Sequence, residues 1–544
     1  MLIISSVGYV TIERAIKGLQ VINVTLQTKN NDLNDVVVIG YGTQRKREVS
    51  SAIGTVRASD IKDLLVTSLD QALQGKVAGV QVTNNTGAPG SFVQIRVRGT
   101  TSLSAGNEPL YVVDGVPINN TLTGSYQAGN DQINGMAGIN PNDIESLEIL
   151  KDASSAAIYG ARASNGVVLV TTKKGKAGKS QIGFNMYTGM QKVAKTIKFL
   201  NGNQFVDFIN EARRNDLSLY NADPNVFGAG FDATVLTAPL NYAAGSTNTN
   251  WLNQIFRTAP ISNYEINVKG GNDKTRFFLS GVYRDEKGVL VGNKFQRIGG
   301  RVNIDNKASE RLDFGIQIGM YSTKTNEVPT SFNGGIGAAQ SNALPIFPVL
   351  NNDGSYFGTQ TKYNIFINPV ARLQNTFINR SLRSEFGLDL TRQKENYYEQ
   401  PYNRWYQSTM LASGSERNID LTNINTNNYF TYNKNVGSNG KLDATLGFAV
   451  NTLRFHEISY RPQSDASGYV NPFFQEGTAG IAWSPLAPAS ITNGSPVAAY
   501  GSARNLSGFV SYFARANYRF MDKYLLGASL RADASPRFGR NKRT

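Results

Sequence analysis

Alternating apolar and polar positions dominate the chain from Lys179 onward and predict antiparallel β-strands. In residues 312–320, Phe314 and Ile316 belong to a row of apolar side chains that alternate with polar residues and glycines. The same period of two recurs in residues 442–451 and 510–520. Strands of about ten residues that are apolar on one face and polar on the other are typical of a transmembrane β-barrel.

One strand pair can be predicted with its turn. Ser262–Gly270 and Thr275–Asp285 both alternate, and the four residues Gly271–Lys274 lie between them. A connection this short indicates an antiparallel hairpin.

The preceding part of the chain, residues 43–175, mixes helical and extended patterns and predicts a compact α+β unit. Ser68–Gly79 has apolar residues at helical spacing and begins with a predicted N-cap serine. Val93–Arg98 alternates, which would place Arg96 and Arg98 on one face of a strand as candidates for buried polar contacts. The later predicted elements are strand Leu110–Val113, a turn at Asp114-Gly115, a helix Ala153–Tyr159 capped by Asp152 and ended by Gly160, and strand Gly166–Lys173.

The composition supports a β-rich protein and argues against an enzyme. Glycine (53), phenylalanine (27) and tyrosine (25) are abundant, whereas charged residues make up 17%. Cysteine is absent and His456 is the single histidine, which excludes disulfides, thiolate sites and multi-histidine metal centres. Asp143, Glu145 and Glu148 lie in a segment with turn character and are interpreted as structural. We therefore predict no catalytic residues, no metal and no cofactor.

The formal net charge of +15 raises the question of an anionic partner. Between Ala153 and Val206 there is no acidic residue, although lysines are frequent there. A nucleic-acid-binding surface would interleave such charges with stacking aromatic residues or present them on a recognition helix, and neither pattern occurs. Nucleic-acid binding is therefore not predicted, and the lysines are interpreted as a solvated face.

A β-branched pentad, Asp35–Ile39, follows the polar linker Lys29–Asn34 and is ended by Gly40-Tyr41-Gly42. On a flexible tether, such a segment can add itself to the edge of a partner's sheet through main-chain hydrogen bonds. The same residues would also suit a buried strand of a globular domain. The pentad alone leaves both interpretations open.

Three segments occur in an order that resembles the SusC/RagA family of TonB-dependent outer-membrane transporters. They are Asp35–Gly42 (DVVVIGYG), Leu110–Asn119 (LYVVDGVPIN) and Glu148–Gly175 (EILKDASSAAIYGARASNGVVLVTTKKG). The resemblance implies a TonB box formed by Asp35, Val36, Val37, Val38, Ile39 and Gly40. It also implies plug signature positions at Arg96, Arg98, Gly99, Asp114, Gly115, Lys151, Asp152, Tyr159, Gly160, Arg162, Asn165 and Gly166.

The resemblance implies a domain order and a fold class. Residues 1–30 would be the tail of a carboxypeptidase-regulatory-like sandwich, 31–42 the linker and TonB box, 43–175 the plug, and 176–544 the first part of the barrel. The fold class is all-β with a small α+β plug in a transmembrane antiparallel barrel. About ten strands are readable, whereas a plugged barrel of this class has about 22. We therefore expect an incomplete barrel and a chain truncated at both ends.

The implied function is TonB-dependent import of a large nutrient, an oligosaccharide or an oligopeptide, across the outer membrane of a Gram-negative, Bacteroidetes-like cell. The implied partners are TonB with its proton-driven motor, a SusD-like surface lipoprotein and outer-membrane lipid. A non-transporting outer-membrane receptor or adhesin remains the alternative. No run approaches the ~18 apolar residues of a membrane-spanning helix.

Overall fold

The computed structural model describes, with short gaps, residues 51–118, 135–237, 247–328, 336–399, 403–462 and 498–535. Shorter described pieces are 2–4, 12–14, 24, 36–38 and 43–45. Most of the predicted sandwich tail 1–30 lies outside the described residues, as do Asp35, Ile39 and Gly40 of the predicted TonB box.

Two small antiparallel pairs lie near the N-terminus. Strand β1 (Leu2–Ile4) pairs with β2 (Ile12–Arg14). Strand β3 (Val36–Val38) pairs with β4 (Thr43–Arg45). The valine run of the predicted TonB box is thus extended, as β-branched residues favour.

The plug contains short elements arranged around one sheet. Its strands are β5 (Ile53–Arg57), β6 (Val80–Asn84), β7 (Val93–Val97), β8 (Leu110–Val113), β9 (Val116–Ile118), β10 (Ile144–Leu150) and β11 (Val167–Thr172). Its α-helices are α1 (Ala58–Ile61), α2 (Leu69–Ala72) and α3 (Ala153–Ala156). The 3-10 turns are Gly135–Gly138, Pro141–Asp143 and Ala157–Ala163. The five-stranded sheet has the order β5-β10-β11-β8-β9, and β6 pairs with β7 in a separate hairpin.

The large sheet, here called the wall, contains eleven antiparallel strands. They are β12 (Gly178–Gln191), β13 (Ala259–Gly271), β14 (Thr275–Lys287), β15 (Lys294–Ser309), β16 (Leu312–Glu327), β19 (Thr376–Phe386), β20 (Leu390–Glu399), β23 (Ser413–Val436), β24 (Gly440–Pro462), β25 (Ala498–Phe520) and β26 (Tyr524–Ala534). Each strand pairs with the next in this order, and β12 and β26 form the two edges. The predicted hairpin is confirmed as β13–β14.

Additional elements lie in the connections between wall strands. The strands are β17 (Gln360–Thr361), β18 (Asn364–Ile365), β21 (Asn403–Trp405) and β22 (Ser408–Thr409). The helices are α4 (Gly202–Ala222), α5 (Thr234–Thr237), α6 (Trp251–Ile255) and α7 (Pro369–Asn375). The connections are two or three residues long at one end of the wall, for example 272–274 and 310–311. We call this end of the wall the short-turn end. The opposite end, which carries connections such as 328–375, is called the long-loop end.

The predicted alternation in the wall is confirmed by side-chain exposure. On one surface, Phe314, Leu446 and Leu530 are 51%, 65% and 76% exposed. On the other surface, Arg301 and Asn303 are buried under the plug. The wall therefore turns an apolar surface outward and a polar surface toward the plug, as expected when water-filled and lipid-filled spaces lie on opposite sides.

Both faces of the plug sheet are buried, because alternate residues along each strand point in opposite directions. Tyr111 belongs to a core cluster that includes Val282 of β14 and Tyr321 of β16. Its neighbour Val112 belongs to a second cluster that includes Ala449 of β24 and Phe513 of β25. We call these two sides of the plug the β14–β16 face and the β23–β26 face.

Two local predictions for the plug need correction. The helix predicted over Ser68–Gly79 is only the four-residue α2, and Ser68 makes no side-chain cap hydrogen bond. The helix predicted over Ala153–Tyr159 ends as α3 at Ala156 and continues as a kinked 3-10 turn. Helices this short depend on tertiary packing. The apolar residues between 69 and 77 that suggested a longer helix belong to the buried cluster of the plug.

Candidate functional site

Arginine side chains from the wall form the centre of the contact between wall and plug on the β14–β16 face. Arg284 of β14 and Arg297 of β15 lie directly opposite each other in the strand register, and both are at most 2% exposed. Like charges in such cross-strand pairs are destabilising unless other groups compensate them. Compensation comes partly from Glu286, whose Oε2 accepts from Arg284 Nη2 at 2.7 Å.

The same two arginines donate to backbone carbonyls of the plug. Arg284 Nη1 lies 3.0 Å from the Val66 carbonyl oxygen. Arg297 Nη1 lies 3.0 Å from the carbonyl oxygens of Thr67 and Ala137. Short helices and turns leave carbonyl groups without intrahelical partners, and a buried carbonyl without a partner is costly. The wall arginines satisfy these groups, which makes the irregular parts of the plug dependent on the wall.

A charged pair crosses the interface at Asp114. The turn between β8 and β9 has φ of 48° at Asp114 and 87° at Gly115, so a residue without Cβ suits the second position. Arg301 Nη1 donates to Asp114 Oδ2 at 2.9 Å, and Thr172 Oγ1 donates to the same oxygen at 2.7 Å. The predicted tight turn is therefore confirmed, and it also presents a carboxylate to a buried wall arginine.

Two further plug residues bind this part of the wall. Tyr321 donates its hydroxyl to Asp143 Oδ2 at 3.2 Å, and burial raises the pKa of that aspartate. Asn142 Nδ2 donates to both carboxylate oxygens of Glu265, each at 2.9 Å. Asp143 is thus part of the plug–wall contact, consistent with its interpretation as a structural residue.

On the β23–β26 face, side-chain amides of the wall contact the plug. Asn423 and Asn425 of β23 donate to the carbonyl oxygen of Pro117 at 2.9 and 3.3 Å. Asn451 of β24 donates to Asn425 Oδ1 at 2.6 Å and accepts from Arg162 Nη1 at 3.2 Å. The signature residue Arg162 therefore reaches the wall through a neutral amide.

The segment around Tyr159 and Gly160 packs against β26 on the same face. Tyr159 is 3% exposed and lies in the apolar cluster. Arg531 donates to the carbonyl oxygen of Ile158 and pairs with Asp533 on its own strand. Gly160 has φ of 72°, and a Cβ at this position would collide with the side chains of Asp533 and Arg531. The predicted need for glycine is supported by both conformation and space.

Asp152 and Arg98 form a contact within the plug. Arg98 Nη2 lies 2.5 Å from Asp152 Oδ1, and Asp152 Oδ2 accepts from the backbone N–H of Ala52 at 2.6 Å. The Ala52 hydrogen bond is the main cause of the lowered pKa of Asp152. Asp152 is the N-cap residue of α3, as predicted, but its side chain makes no cap hydrogen bond because it binds the residue before β5 instead.

The prediction that Arg96 and Arg98 share one buried strand face is also wrong. Arg98 has φ of 60° beyond the end of β7, and its side chain is 55% exposed. Arg96 remains on β7 and is half-buried. The strand β7 ends at Val97, because Arg98 has a positive φ. The sequence pattern had extended the strand, and its alternation of faces, by one residue too many.

The remaining signature positions stabilise turns. Lys151 Nζ donates to the carbonyl oxygen of Ala78 at 3.2 Å. Asn165 Nδ2 donates to the carbonyl oxygen of Gly106 at 2.8 Å. Gly99 and Gly166 both have positive φ. These contacts connect neighbouring loops of the plug.

Two plug carboxyl groups have strongly altered acidity. Burial raises the pKa of Glu148 to about 7, and burial likewise raises that of Glu108 to about 7. Glu148 lies two residues before Leu150 on β10 and therefore on the β23–β26 face. A carboxyl group is largely protonated below its pKa, so below about pH 7 Glu148 adds no buried negative charge to that face.

Sequence reasoning missed the wall residues that hold the plug. A usable signal was present, because Arg297 and Arg301 are four residues apart and therefore on the same face of one strand. An arginine that becomes buried on such a face needs partners that satisfy its charge and its N–H groups. The identity of that partner depends on the tertiary arrangement.

No group of three or more histidine, aspartate or glutamate side chains among the described residues could hold a metal ion. None of the described helices has the length and apolar character needed to cross a membrane.

Comparison with known proteins places these features in a family context. The family described as TonB-dependent Receptor Plug Domain matches residues 45–167. A TonB-dependent receptor from Formosa agariphila is 32% identical, over 99% of this chain and 52% of its own length. The TonB-dependent receptor SusC from Bacteroides thetaiotaomicron is 28% identical, over 100% of this chain and 53% of its own length.

Among solved structures, the RagAB peptide importer in its "open-open" state is similar, with a TM-score of 0.69 and 25% sequence identity. The match covers 94% of this chain and 57% of the other. The chain spans about half the length of the curated relatives it matches, which are covered to 52% and 53%.

Proposed function

Because the chain belongs to the SusC/RagA-type TonB-dependent transporters, a family of Gram-negative outer-membrane proteins, we propose that it serves in the import of a large nutrient. The proposed substrate class is an oligosaccharide or an oligopeptide. The family is one of transporters and not of enzymes. The observation that carries the proposal is a plug held against the polar surface of a wall whose other surface is apolar.

The proposed mechanism is gating by the plug. A substrate captured outside, beneath a SusD-like lipoprotein, would make residues 35–42 available in the periplasm. TonB would then add a strand to this segment and pull on the plug, using the proton gradient of the inner membrane. The short-turn end of the wall would face the periplasm and the long-loop end the exterior, as in outer-membrane barrels. The proposed domain division remains 1–30, 31–42, 43–175 and 176–544.

The contacts described above suit a plug that must stay in place and yet be released. Many of its irregular carbonyl groups bind wall side chains such as Arg297. Movement of the plug would therefore break bonds that have no replacement until water enters. This dependence supports an externally driven release over spontaneous opening.

The test is deletion of residues 35–42 from the full-length protein. The deletion strain should fail to grow when oligosaccharides or oligopeptides from a defined panel are the sole nutrient, while its surface still binds the nutrient that supports the parent strain. The reason is that strand addition to TonB supplies force and not recognition. Growth at the parental rate on that nutrient would contradict the proposal.

A matched control changes the tether without changing the pentad. Replacing the six residues Lys29–Asn34 by a Gly/Ser sequence of equal length keeps the reach of the segment. Growth should be preserved in this variant. An adhesin would bind in all of these strains, and neither change would affect its function.

A further inference from the structure

A nine-residue segment at the extracellular exit of β12, residues 192–200, exposes lysines and large apolar side chains together. We call it the rim segment. All of its residues except Val193 are exposed. Lys192, Lys195 and Lys198 follow one another at every third position. Its large apolar side chains are also exposed: Ile197 63%, Phe199 50% and Leu200 44%.

Both ends of the rim segment are fixed to structure. Before it, Gln191 Nε2 donates to the carbonyl oxygen of Lys287 at 2.7 Å, at the long-loop end of β14. After it, Asn201 begins α4 with a capping box, in which its side chain accepts from the backbone N–H of Gln204 at 2.9 Å. The segment therefore lies at the rim of the wall and is neither a terminus nor a freely extended loop.

The rim segment directly follows a strand whose outward side chains are apolar. On β12, Ile182, Phe184 and Met190 are 75%, 68% and 74% exposed. A lipid bilayer covering these side chains would bring its headgroup layer close to the end of the strand. Amphipathic lysines at such a boundary place their stems along apolar surface and their ammonium groups in the polar layer.

The positive charge of the rim segment indicates which kind of ligand it can bind. No acidic residue lies between Ala153 and Val206, so the three ammonium groups have no carboxylate in their own stretch of sequence. Exposed apolar side chains beside uncompensated lysines suit a surface that offers both acyl chains and negative charge. We propose that residues 192–200 bind phosphate-bearing lipid of the outer leaflet through Lys192, Lys195 and Lys198. This inference rests on the proposed outer-membrane function.

The test compares two sets of lysine substitutions in the full-length protein. The first variant is Lys192→Gln/Lys195→Gln/Lys198→Gln. The control is Lys176→Gln/Lys179→Gln/Lys434→Gln, which removes three exposed lysines at the short-turn end. Each detergent-solubilised protein is titrated with micelles containing lipid A and, separately, with phosphatidylcholine micelles.

The rim variant should bind lipid A micelles on the order of 100-fold more weakly than the parent, since each lysine near an anionic surface contributes about fivefold. Binding to phosphatidylcholine micelles should not change in either variant, and the control should keep parental affinity for lipid A. Equal losses in both variants, or no loss in the rim variant, would overturn the inference. Loss of a co-purifying protein with unchanged lipid A binding would also overturn it in favour of a protein partner.

Membrane fractionation separates this inference from the proposed function. If the parent protein is recovered in the outer membrane and the rim variant binds lipid A normally, only the lipid inference fails. If the parent protein is absent from the outer-membrane fraction, the proposed function fails and the inference fails with it.

Discussion

The β14–β16 face and the β23–β26 face of the plug both contain a buried apolar cluster, but their polar contacts with the wall differ in charge. On the first face, the arginine–carboxylate pair Arg301–Asp114 crosses the interface. On the second face, Asn423 and Asn425 donate to the carbonyl oxygen of Pro117, and Arg531 donates to that of Ile158, so the plug contributes neutral carbonyl groups there. Removing one partner of a buried ion pair costs about 3–5 kcal/mol, whereas a neutral hydrogen bond contributes about 1 kcal/mol. Because the charged contact costs more to break, we expect the plug to separate from β23–β26 before it separates from β14–β16.

Two cysteine reporters, one in the cluster of each face, can measure the free energy of opening of the two faces independently. The chain contains no cysteine, so a single introduced thiol reports local opening without background. Ala72→Cys would report the cluster of the β14–β16 face, and Ala156→Cys that of the β23–β26 face. Thiol labelling of the full-length protein in increasing urea then gives the opening free energy at each position.

The largest expected effect is that of Arg301→Met. It should lower the opening free energy at the Ala72→Cys reporter by about 3–5 kcal/mol, because Asp114 keeps a buried charge without its cation. Adding Asp114→Asn should recover part of the loss, since asparagine tolerates the positive φ of this turn. Arg392→Met, in an exposed pair with Asp420, is the control and should cost less than about 1 kcal/mol. Similar losses for Arg301→Met and Arg392→Met would refute the asymmetry.

Glu148 gives the next largest effect and a pH dependence. Its pKa is about 7 in the folded plug, against an ordinary value of 4.5. The folded state therefore holds the proton more tightly, so plug stability is full below about pH 4.5 and falls as pH rises to about 7, by on the order of 3 kcal/mol. Glu148→Gln should reduce this slope at the Ala156→Cys reporter by the share due to Glu148 and leave the share due to Glu108, measured with a thiol reagent that reacts at acid pH. An unchanged slope would show that Glu148 does not contribute to the pH dependence.

Gly160→Val tests the close approach of the plug to β26. A β-branched residue at φ of 72° is strained, and its side chain would also displace Asp533 and Arg531. We expect a loss of about 2 kcal/mol at the Ala156→Cys reporter. Gly87→Val, at a glycine with open space and no positive φ, is the control and should have little effect. If the opening free energy of the Gly160→Val variant equals that of the parent, the described kink at Gly160 is contradicted.

The smallest effect is expected for Asn425→Ala. Loss of its bonds to Pro117 and Asn451 should lower the opening free energy by about 1 kcal/mol at Ala156→Cys and by less at Ala72→Cys. A loss as large as that of Arg301→Met would show that the amide contacts are as important as the charged ones.

The sequence predicted those features that depend on neighbouring residues. The period of two identified wall strands such as β16, and the Asp114-Gly115 turn followed from local conformational preference. The predicted helix lengths were wrong because packing decides them, and the side-chain partner of Asp152 could not be predicted because the contact with Ala52 decides it. The binding partners of Arg297 and Arg301 could not be predicted, since the plug and wall residues involved lie more than 120 positions apart. The function of the predicted TonB box and signature residues stays a prediction.

The register of β5 has a mechanical consequence. Ile53, at the start of this edge strand, pairs with Leu150, whereas Arg57 pairs with Ser146 near the short-turn end of the wall. The chain therefore enters β5 at the end farthest from the periplasm in the proposed orientation. A pull toward the periplasm would peel β5 away from β10 one residue pair at a time. The Ala52–Asp152 hydrogen bond would break first, followed by the pairs from Ile53–Leu150 to Arg57–Ser146. Sequential opening needs less force than breaking all of the bonds in parallel, so this strand would be the first part of the plug to yield.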